Sequence, residues 1–305
     1  MTHPKFVSVD GEIVPYETAT VHFLSPAAKY GSSVFEGIRG YWNEDKNEYF
    51  VFRLREHVCR LRESMKIMRF SEDYDEDYLC RVVLDTIRAN NIKADSHIRL
   101  SALLSGEGLY DVGGPVSLMC AALPSPSKSL EEKTLSVGVS SWRRIHDSAI
   151  PPRVKCGANY QNSRLGLMDV KAGGYDKVLF LTPVGNVAEG AGECIFIVRG
   201  GCLVTPSVTS GILESITRET ILEIARQDLS LPVAEREMDR TEIYVAEEAF
   251  FAGTMAEICP VTSLDGIAVG SGAAGTVTSD LWSWLESLCR GTVDSRAEWR
   301  TPVYG

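Results

Sequence analysis

Apolar residues recur along the chain at two spacings, which predict a mixture of helices and strands. Leu54, Val58, Leu61 and Met65 are three or four residues apart, as on one face of an α-helix. The same spacing in YLCRVVLDTIRANN predicts a second helix, which the paired asparagines would end. Short apolar runs, EYFVFRL, HIRLSALLS and VSLMCAAL, predict strands around these helices. SVDGEIV, with Asp-Gly between two apolar runs, predicts a β-hairpin.

The pattern is interrupted at 124–133, PSPSKSLEEK, which has proline, serine and charge but no apolar face. We therefore predict a linker over 124–137, between a small N-terminal α/β domain (1–123) and a larger C-terminal domain (138–305). Strands predicted in the larger domain are LSVGVSSW, DKVLFLTP, CIFIVRGG and EAFFAG, and its helices are TRETILEIARQ and TSDLWSWLESLCRG. Such a mixture predicts an α/β or α+β fold.

Composition narrows the class of protein. The chain has 305 residues, enough for two domains, and a formal net charge of −10, which argues against nucleic acid and anionic membrane surfaces as partners. MTHPKFVSVDGEIVPYE has no signal-peptide pattern, and no apolar run is long enough to span a membrane. The eight cysteines include no CxxC pair and lie mostly beside apolar residues, as buried thiols would, so we expect no metal and a reduced, cytoplasmic protein.

Lys155 is the first candidate for chemistry, because it lies among small and apolar residues in PPRVKCGANYQNS. A lysine attacks carbonyl groups only as the neutral amine, a form that apolar surroundings favour. The best-known use of such a lysine is a Schiff base with the aldehyde of pyridoxal phosphate. A surface lysine in a loop is the alternative, so the assignment depends on partners elsewhere in the chain.

Pyridoxal phosphate needs a carboxylate facing its ring nitrogen. Glu189, in GNVAEGAGECIFIV, precedes an apolar strand, and the small residues around it leave room for a flat ligand. A turn residue is the alternative interpretation. Glu193 is a competing carboxylate, and the two acids together could also indicate a metal site, although no histidine is near them.

A phosphate group favours the N-terminus of a helix, where backbone N–H groups are unpaired. In GILESITRETILEIA a helix is predicted to begin between Ser215 and Thr217, which add two hydroxyl groups. An ordinary N-cap by Ser215 is the alternative. A second corner with exposed amides is predicted where the strand in FFAGTMAEICP ends, at Gly253 and Thr254.

YGSSVFEGIRGY places Tyr30, Phe35 and Arg39 around glycines that permit close approach to a ligand. A structural turn with core aromatic residues is the alternative. Neither interpretation is decided by this segment alone.

Together, and in this order, several segments resemble the fold-type IV pyridoxal-phosphate enzymes, most closely the branched-chain amino acid aminotransferases. The segments are YGSSVFEGIR, FRLREHVCRL, IRL, SSWRRIHDSAIPPRVKCGANYQNS, GNVAEGAGECIF, ILESITRETI and FFAGTMAEICPV. They are collinear and cover nearly the whole chain. The resemblance implies a two-domain architecture like that of D-amino-acid aminotransferase, with pyridoxal 5'-phosphate as cofactor.

The resemblance also implies a role for each matching residue. Lys155 matches the Schiff-base lysine, and so implies a residue that is covalent anchor, general base and general acid in turn. The implied cofactor-binding residues are Arg60 and Ser215, Ile216, Thr217, Gly253 and Thr254 at the phosphate, Tyr160 at the phenolic oxygen, Glu189 at the ring nitrogen and Leu213 against the ring. The implied substrate residues are Tyr30, Phe35, His97, Arg99, Tyr110, Thr254 and Met255.

The implied reaction is transamination of a branched-chain L-amino acid, with 2-oxoglutarate as acceptor. Alternatives on the same scaffold are D-amino-acid or (R)-amine transamination and an aminodeoxychorismate-lyase activity; a non-catalytic binding protein is a third possibility. A homodimer or higher homo-oligomer is implied, in which SGEGLYDVGG is the segment expected to reach the partner's site.

The chain departs from its apparent relatives mainly on the substrate side. His97 stands where a tyrosine is common, two residues before the strand arginine. Ser125, Ser127 and Lys128 occupy a loop that often carries aromatic residues, and Ser215 replaces a common glycine. These departures bear on which amino acid is accepted.

Overall fold

The computed structural model describes residues 3–305, which form two compact units. Unit 1 comprises residues up to Ser127 together with Val154–Ala158 and Ser287–Gly305, and unit 2 comprises Lys128–Arg153 and Asn159–Glu286. Grouping by contacts thus places the Lys155 segment in unit 1. The boundaries predicted at 123 and 138, which assign that segment to the C-terminal domain, stay a prediction.

The strands are β1 (Phe6–Val9), β2 (Glu12–Pro15), β3 (Ser33–Asn43), β4 (Glu48–Phe52), β5 (Ser96–Leu104), β6 (Val116–Pro124), β7 (Leu135–Arg143), β8 (Lys177–Leu181), β9 (Cys194–Arg199), β10 (Cys202–Thr205), β11 (Val233–Glu235), β12 (Glu248–Gly253), β13 (Glu257–Leu264), β14 (Ile267–Ala268) and β15 (Arg300–Pro302). The α-helices are α1 (Pro26–Tyr30), α2 (Leu54–Ile67), α3 (Glu76–Ala89), α4 (Asn159–Ala172), α5 (Ile216–Gln227), α6 (Arg240–Tyr244) and α7 (Thr276–Arg290). Short 3₁₀ helices cover Tyr16–Thr18, Glu131–Lys133 and Ala297–Trp299. The mixed α and β content confirms the predicted fold class.

Unit 1 is built on a sheet in the order β15-β4-β3-β5-β6-β1-β2. The predicted hairpin is confirmed: β1 and β2 pair antiparallel, and Asp10 and Gly11 both have positive φ angles, as a tight hairpin turn requires. The apolar stripes of α2 and α3 pack on one face of this sheet, where Val58, Leu61 and Val83 are fully buried.

Unit 2 is built on a second sheet, in the order β11-β10-β9-β12-β13-β7-β8, with β14 paired to β13. Its core includes Ile195, Ile197 and Phe251 from the two central strands β9 and β12. All four strands predicted in the larger domain lie in this sheet, as β7, β8, β9 and β12.

Among the elements that the sequence did not predict, two carry predicted site residues. Most of YGSSVFEGIRGY is the eleven-residue strand β3 rather than a turn, and its neighbours in the sheet are β4 and β5. Helix α4, which begins four residues after Lys155, was not predicted because its buried face is small or polar. That face consists of Asn159, Ser163, Gly166 and Val170, which keep helical spacing without an apolar stripe.

All eight cysteines are thiols, and six of them are buried. Within residues 3–305 no helix combines the length and the apolar character needed to cross a membrane.

Candidate active site

In unit 1, Lys155 is held by a short extended segment that adds to β3. Phe35 N donates a hydrogen bond to Lys155 O (2.9 Å), and Gly157 N donates to Ser33 O (2.9 Å). Since extended residues alternate in direction, Val154 and Cys156 enter the unit 1 core, where each is 1 % exposed, and Lys155 is directed away from it. The apolar neighbours that make Lys155 unusual in the sequence are therefore its anchors.

The side chain of Lys155 lies near Phe35, a predicted substrate residue, which in turn contacts a second one, Arg99. Its Nζ is 5.1 Å from the centroid of the Phe35 ring, and Arg99 Cζ is 3.2 Å from the same centroid. Phe35 and Arg99 lie on neighbouring strands, in which Gly37 is the direct partner of Arg99. Unit 1 thus brings an amine, an aromatic ring and a guanidinium together.

His97 lies on the same face of the sheet as Arg99, opposite Arg39 in the β3–β5 register. Its ring occupies space above Gly37, where an added Cβ would be only 2.8 Å from His97 Cε1. Burial and the positive charges of Arg99, Arg39 and Lys155 lower the pKa of His97 to about 4. The imidazole is therefore neutral near pH 7.

Arg39 of β3 is hydrogen-bonded to the start of the segment that was predicted as the linker. Its Nη2 donates to Ser125 O (2.9 Å) and to Ser127 Oγ (3.0 Å). Two of the three residues that replace loop aromatics are thus bound to a buried arginine of β3.

Tyr30 and Tyr110, both predicted as substrate residues, form an edge-to-face pair at 6.1 Å between ring centroids. Tyr110 is 79 % exposed and Tyr30 is 43 % exposed in the single chain. They form an aromatic surface rather than an enclosed wall.

Arg60 projects from α2 and is engaged by Glu36 of β3. Arg60 Nε donates to Glu36 Oε1 (2.8 Å) and Nη2 donates to Oε2 (2.7 Å). His57, one turn earlier in α2, is 2.7 Å from Oε2 through its Nδ1. The predicted phosphate-binding arginine is therefore part of a buried triad whose other two members were not predicted.

In unit 2, the predicted acid Glu189 is buried and paired with Arg144, which follows β7. Arg144 Nη2 is 2.6 Å from Glu189 Oε1, and Leu213 N donates to Oε2 at 3.2 Å. Arg144 Nε donates to Gly211 O (3.3 Å) and so ties the pair to the chain just before Leu213. Glu193, the competing acid, forms a short ion pair with Lys177 and accepts from Gly192 N.

The predicted phosphate corner is formed by the start of α5 and the turn between β12 and β13. Thr217 Oγ1 and Thr254 Oγ1 are 3.4 Å apart, which joins the two segments. Ser215 is the N-cap of α5: its Oγ accepts from Arg218 N (3.2 Å). Ile216 is buried and Met255 is exposed at the turn.

Tyr160, the second residue of α4, lies near this corner. A Cβ built on Gly192 would be 3.8 Å from Tyr160 Cε1, and one built on Gly253 would be 3.2 Å from Gly192 O. The glycine loop after Glu189 thus runs between Tyr160 and the β12–β13 turn.

Three residues at these sites were missed by sequence reasoning: Glu36, His57 and Arg144. Each lies in a segment quoted for the family resemblance, but each acts on another protein side chain rather than on a ligand. Only Glu36 has a sequence signal, as a charged residue between apolar neighbours, whereas His57 and Arg144 lie among other charged residues.

The chain belongs to the amino-transferase class IV family, whose model matches residues 33–264. It is 38% identical over 305 residues to the branched-chain-amino-acid aminotransferase of Salmonella typhimurium, covering 98% of this chain and 97% of that protein. The crystal structure of the branched-chain amino acid aminotransferase from Thermobaculum terrenum in its PLP form superposes with a TM-score of 0.94, at 42% identity over 99% of both chains. The branched-chain aminotransferase of Thermoproteus uzoniensis, solved with norvaline, superposes at 0.93, with 41% identity over 99% of this chain and 100% of that one. The resemblance to fold-type IV enzymes is confirmed.

Class IV amino-transferases use pyridoxal phosphate, and the residues present fit that cofactor. Unit 2 contains a buried carboxylate, the kind of group that pairs with a protonated ring nitrogen, and a helix N-terminus with two hydroxyl groups, the kind of site that binds a phosphate. Unit 1 contains an amine and a guanidinium. The protein is a pyridoxal-phosphate-dependent aminotransferase.

Proposed function

We propose that the protein transfers the amino group of branched-chain L-amino acids to 2-oxoglutarate. The observation that carries the proposal is the meeting of Lys155, Phe35 and Arg99 on one face of the unit 1 sheet: a reactive amine, an apolar wall and a cation. An apolar wall suits an aliphatic side chain, and a guanidinium suits the second carboxylate of 2-oxoglutarate. Solved relatives in complex with norvaline and with N-(5'-phosphopyridoxyl)-L-glutamate are consistent with this choice.

Each proposed cofactor contact has a chemical reason. When bound, pyridoxal phosphate supplies an electron-accepting ring that weakens the Cα–H bond of the amino acid. Glu189, with a positive charge 2.6 Å away on Arg144, would keep a proton on the ring nitrogen. The other residues proposed to hold the cofactor are Arg60, Tyr160, Leu213, Ser215, Ile216, Thr217, Gly253 and Thr254.

Lys155 is proposed to move the proton. Its Nζ takes the proton from Cα of the substrate, and the same amine then returns one as the general acid. The exposed amides around Thr254 and Met255 would receive the α-carboxylate, because a turn with unpaired N–H groups binds anions. Tyr30, Phe35, His97, Arg99 and Tyr110 are proposed to surround the substrate side chain.

The test is a set of single half-reactions on the holoenzyme, followed by the cofactor's visible absorbance. We expect L-leucine, L-isoleucine and L-valine to change the spectrum, and D-alanine and (R)-amines to leave it unchanged. Lys155→Ala should lose the wild-type absorbance band and all turnover. A response to D-alanine without a response to L-leucine would favour the D-amino-acid alternative. L-Glutamate formed from 2-oxoglutarate, but not L-alanine from pyruvate, would support the proposed acceptor.

We also propose a homodimer. Phe23, Leu109 and Tyr110 are 73 %, 61 % and 79 % exposed in the single chain, and large exposed apolar side chains of this kind are what an interface with a second copy would cover. Sedimentation velocity across a dilution series should show dimers that keep full activity, whereas a fully active monomer at high dilution would contradict the proposal.

A further inference from the structure

The buried triad of Glu36, His57 and Arg60 in unit 1 has a geometry that fixes the direction of one guanidinium. We propose that Glu36 and His57 are positioning residues, which hold Arg60 in the orientation that binds the cofactor's phosphate. This inference rests on the proposed role of Arg60 and adds the residues that determine its affinity.

The contacts define a single orientation. Glu36 is fully buried on β3 and accepts two parallel hydrogen bonds from Arg60, at 2.8 and 2.7 Å. A planar guanidinium bound at two of its nitrogens cannot rotate about its own axis without losing one bond. His57 and Arg60 are three residues apart in α2, so both reach the same carboxylate from one face of the helix.

His57 fixes the carboxylate in turn. Its Nδ1 is 2.7 Å from Glu36 Oε2, the oxygen that also accepts from Arg60 Nη2. Burial lowers the pKa of His57, so the ring is neutral near pH 7 and donates its Nδ1–H to Glu36. Burial opposes ionisation of Glu36, but Arg60 and His57 outweigh it and lower the pKa of Glu36 to about 2. The triad therefore carries no net charge near pH 7.

A guanidinium has five N–H donors, so it can bind a carboxylate through one edge and a second anion through another edge. Glu36 therefore has two opposing effects on phosphate binding by Arg60. Glu36 cancels the charge that attracts phosphate, yet it also aims the donors that bind it. If charge balance were its whole role, removing the carboxylate would strengthen phosphate binding; if it positions Arg60, removal would weaken it.

The decisive variant is Glu36→Gln, which keeps the shape but turns one acceptor oxygen into a donor. The apoprotein is titrated with pyridoxal phosphate and, separately, with pyridoxal, which lacks the phosphate. We expect the affinity for pyridoxal phosphate to fall by roughly 10- to 100-fold, the range found when residues that orient ligands at metal sites are removed. The affinity for pyridoxal should stay within about twofold, a selectivity that general loosening of the fold would not produce.

The matched control is Glu56→Gln, in the same helix. Glu56 Oε1 pairs with Arg53 Nε, so this variant also breaks an arginine–glutamate pair, but at a site 36 % exposed. It should change neither affinity. If Glu36→Gln does not fold, His57→Phe replaces it, because it removes one hydrogen bond from Glu36 and keeps a ring of similar size. It should lower the affinity for pyridoxal phosphate alone, by a smaller factor.

Equal or tighter binding of pyridoxal phosphate by a folded Glu36→Gln, or parallel losses for both ligands, would overturn the inference. Those results leave the proposed reaction intact, because the wild type would still bind and turn over. A wild type with no preference for pyridoxal phosphate over pyridoxal would overturn the role of Arg60 as well.

Discussion

Each unit buries one arginine–glutamate pair among the proposed cofactor residues, and we propose opposite roles for the two pairs. In unit 1 the proposed ligand-binding member is Arg60, and Glu36 holds it. In unit 2 the proposed ligand-binding member is Glu189, and Arg144 holds it. The shortest contacts are nearly the same, 2.7 and 2.6 Å, and both pairs are buried. The ion pair alone therefore does not determine which member meets the ligand.

The neighbours of each pair make the difference. Glu36 has a second side-chain partner, His57, which comes from the same helix as Arg60. Glu189 instead accepts a backbone N–H from Leu213 and is followed by two glycines, Gly190 and Gly192. A carboxylate bound to two side chains of one helix is suited to hold a side chain in place, whereas one bound to a single side chain and a backbone N–H keeps acceptor capacity for a ligand.

Replacing the arginine of each pair distinguishes the two proposed roles, support of a catalytic carboxylate and binding of the phosphate. Arg144→Met leaves Glu189 buried without its cation, so we expect the free energy of unfolding to fall by about 3–5 kcal/mol. Turnover should stay low even at saturating pyridoxal phosphate, because Glu189, the residue that loses its partner, is proposed to act in the reaction. Arg60→Met likewise leaves Glu36 buried without its cation and should cost a similar free energy of unfolding. The folded Arg60→Met variant should nevertheless regain much of its turnover when the cofactor is in excess, since the group it loses is proposed to bind the phosphate.

Denaturant unfolding and turnover across a cofactor titration measure both effects. Full recovery of Arg144→Met by excess cofactor would show that the two pairs serve the same purpose. Arg153→Met is a suitable control, because Arg153 pairs with Glu214 where both side chains are about half exposed.

The positive charges around His97 predict that the stability of the protein depends on pH. The pKa of His97 in the folded protein is about 4, below the 6.5 expected when unfolded, so the folded state resists protonation. Stability from this group is complete above pH 6.5 and is lost as the pH falls from 6.5 towards 4, by about 3 kcal/mol in the free energy of unfolding. His97→Asn, which cannot titrate there, should reduce the slope of the profile in denaturant melts between pH 4 and 7, while His57, whose pKa is also lowered by burial, keeps part of it. Parallel profiles for the variant and the wild type would show that the imidazole is not held among these charges.

A smaller effect is expected at the start of α5. Ser215→Ala removes the hydroxyl that caps Arg218 N and should cost about 1 kcal/mol of stability. Since that hydroxyl is occupied by the helix, the affinity for pyridoxal phosphate should change less than in Thr217→Val. Thermal melts and cofactor titrations of the two variants provide the comparison, and a larger affinity loss for Ser215→Ala would move the phosphate contact to Ser215.

Local periodicity predicted α2, α3, α5 and α7, because each has an apolar stripe at helical spacing. It missed α4, whose buried face includes Asn159 and Ser163. It also missed β3, where the glycines and Glu36 hide the alternation of a strand buried on both faces.

Some of the candidate site residues were likewise predicted from the sequence, and others were missed. Lys155 and Glu189 stand out in sequence because each is a charged residue among small ones. Arg144, His57 and Glu36 were not found, because the need for a buried counter-charge arises only when segments distant in sequence meet. His57 and Glu36 are 21 residues apart, and Arg144 and Glu189 are further apart still.

Unit 1 is built from three segments that are separated in the sequence, which has a consequence for folding during synthesis on the ribosome. Its sheet is completed by β15, which pairs with β4, and its core by Val154 and Cys156. After Ser127 emerges, about 170 further residues must be translated before β15 is available, which at typical rates takes roughly 9–35 s. During that time the strand beside β4 is missing, so the nascent chain carries an open sheet edge of the kind that invites aggregation.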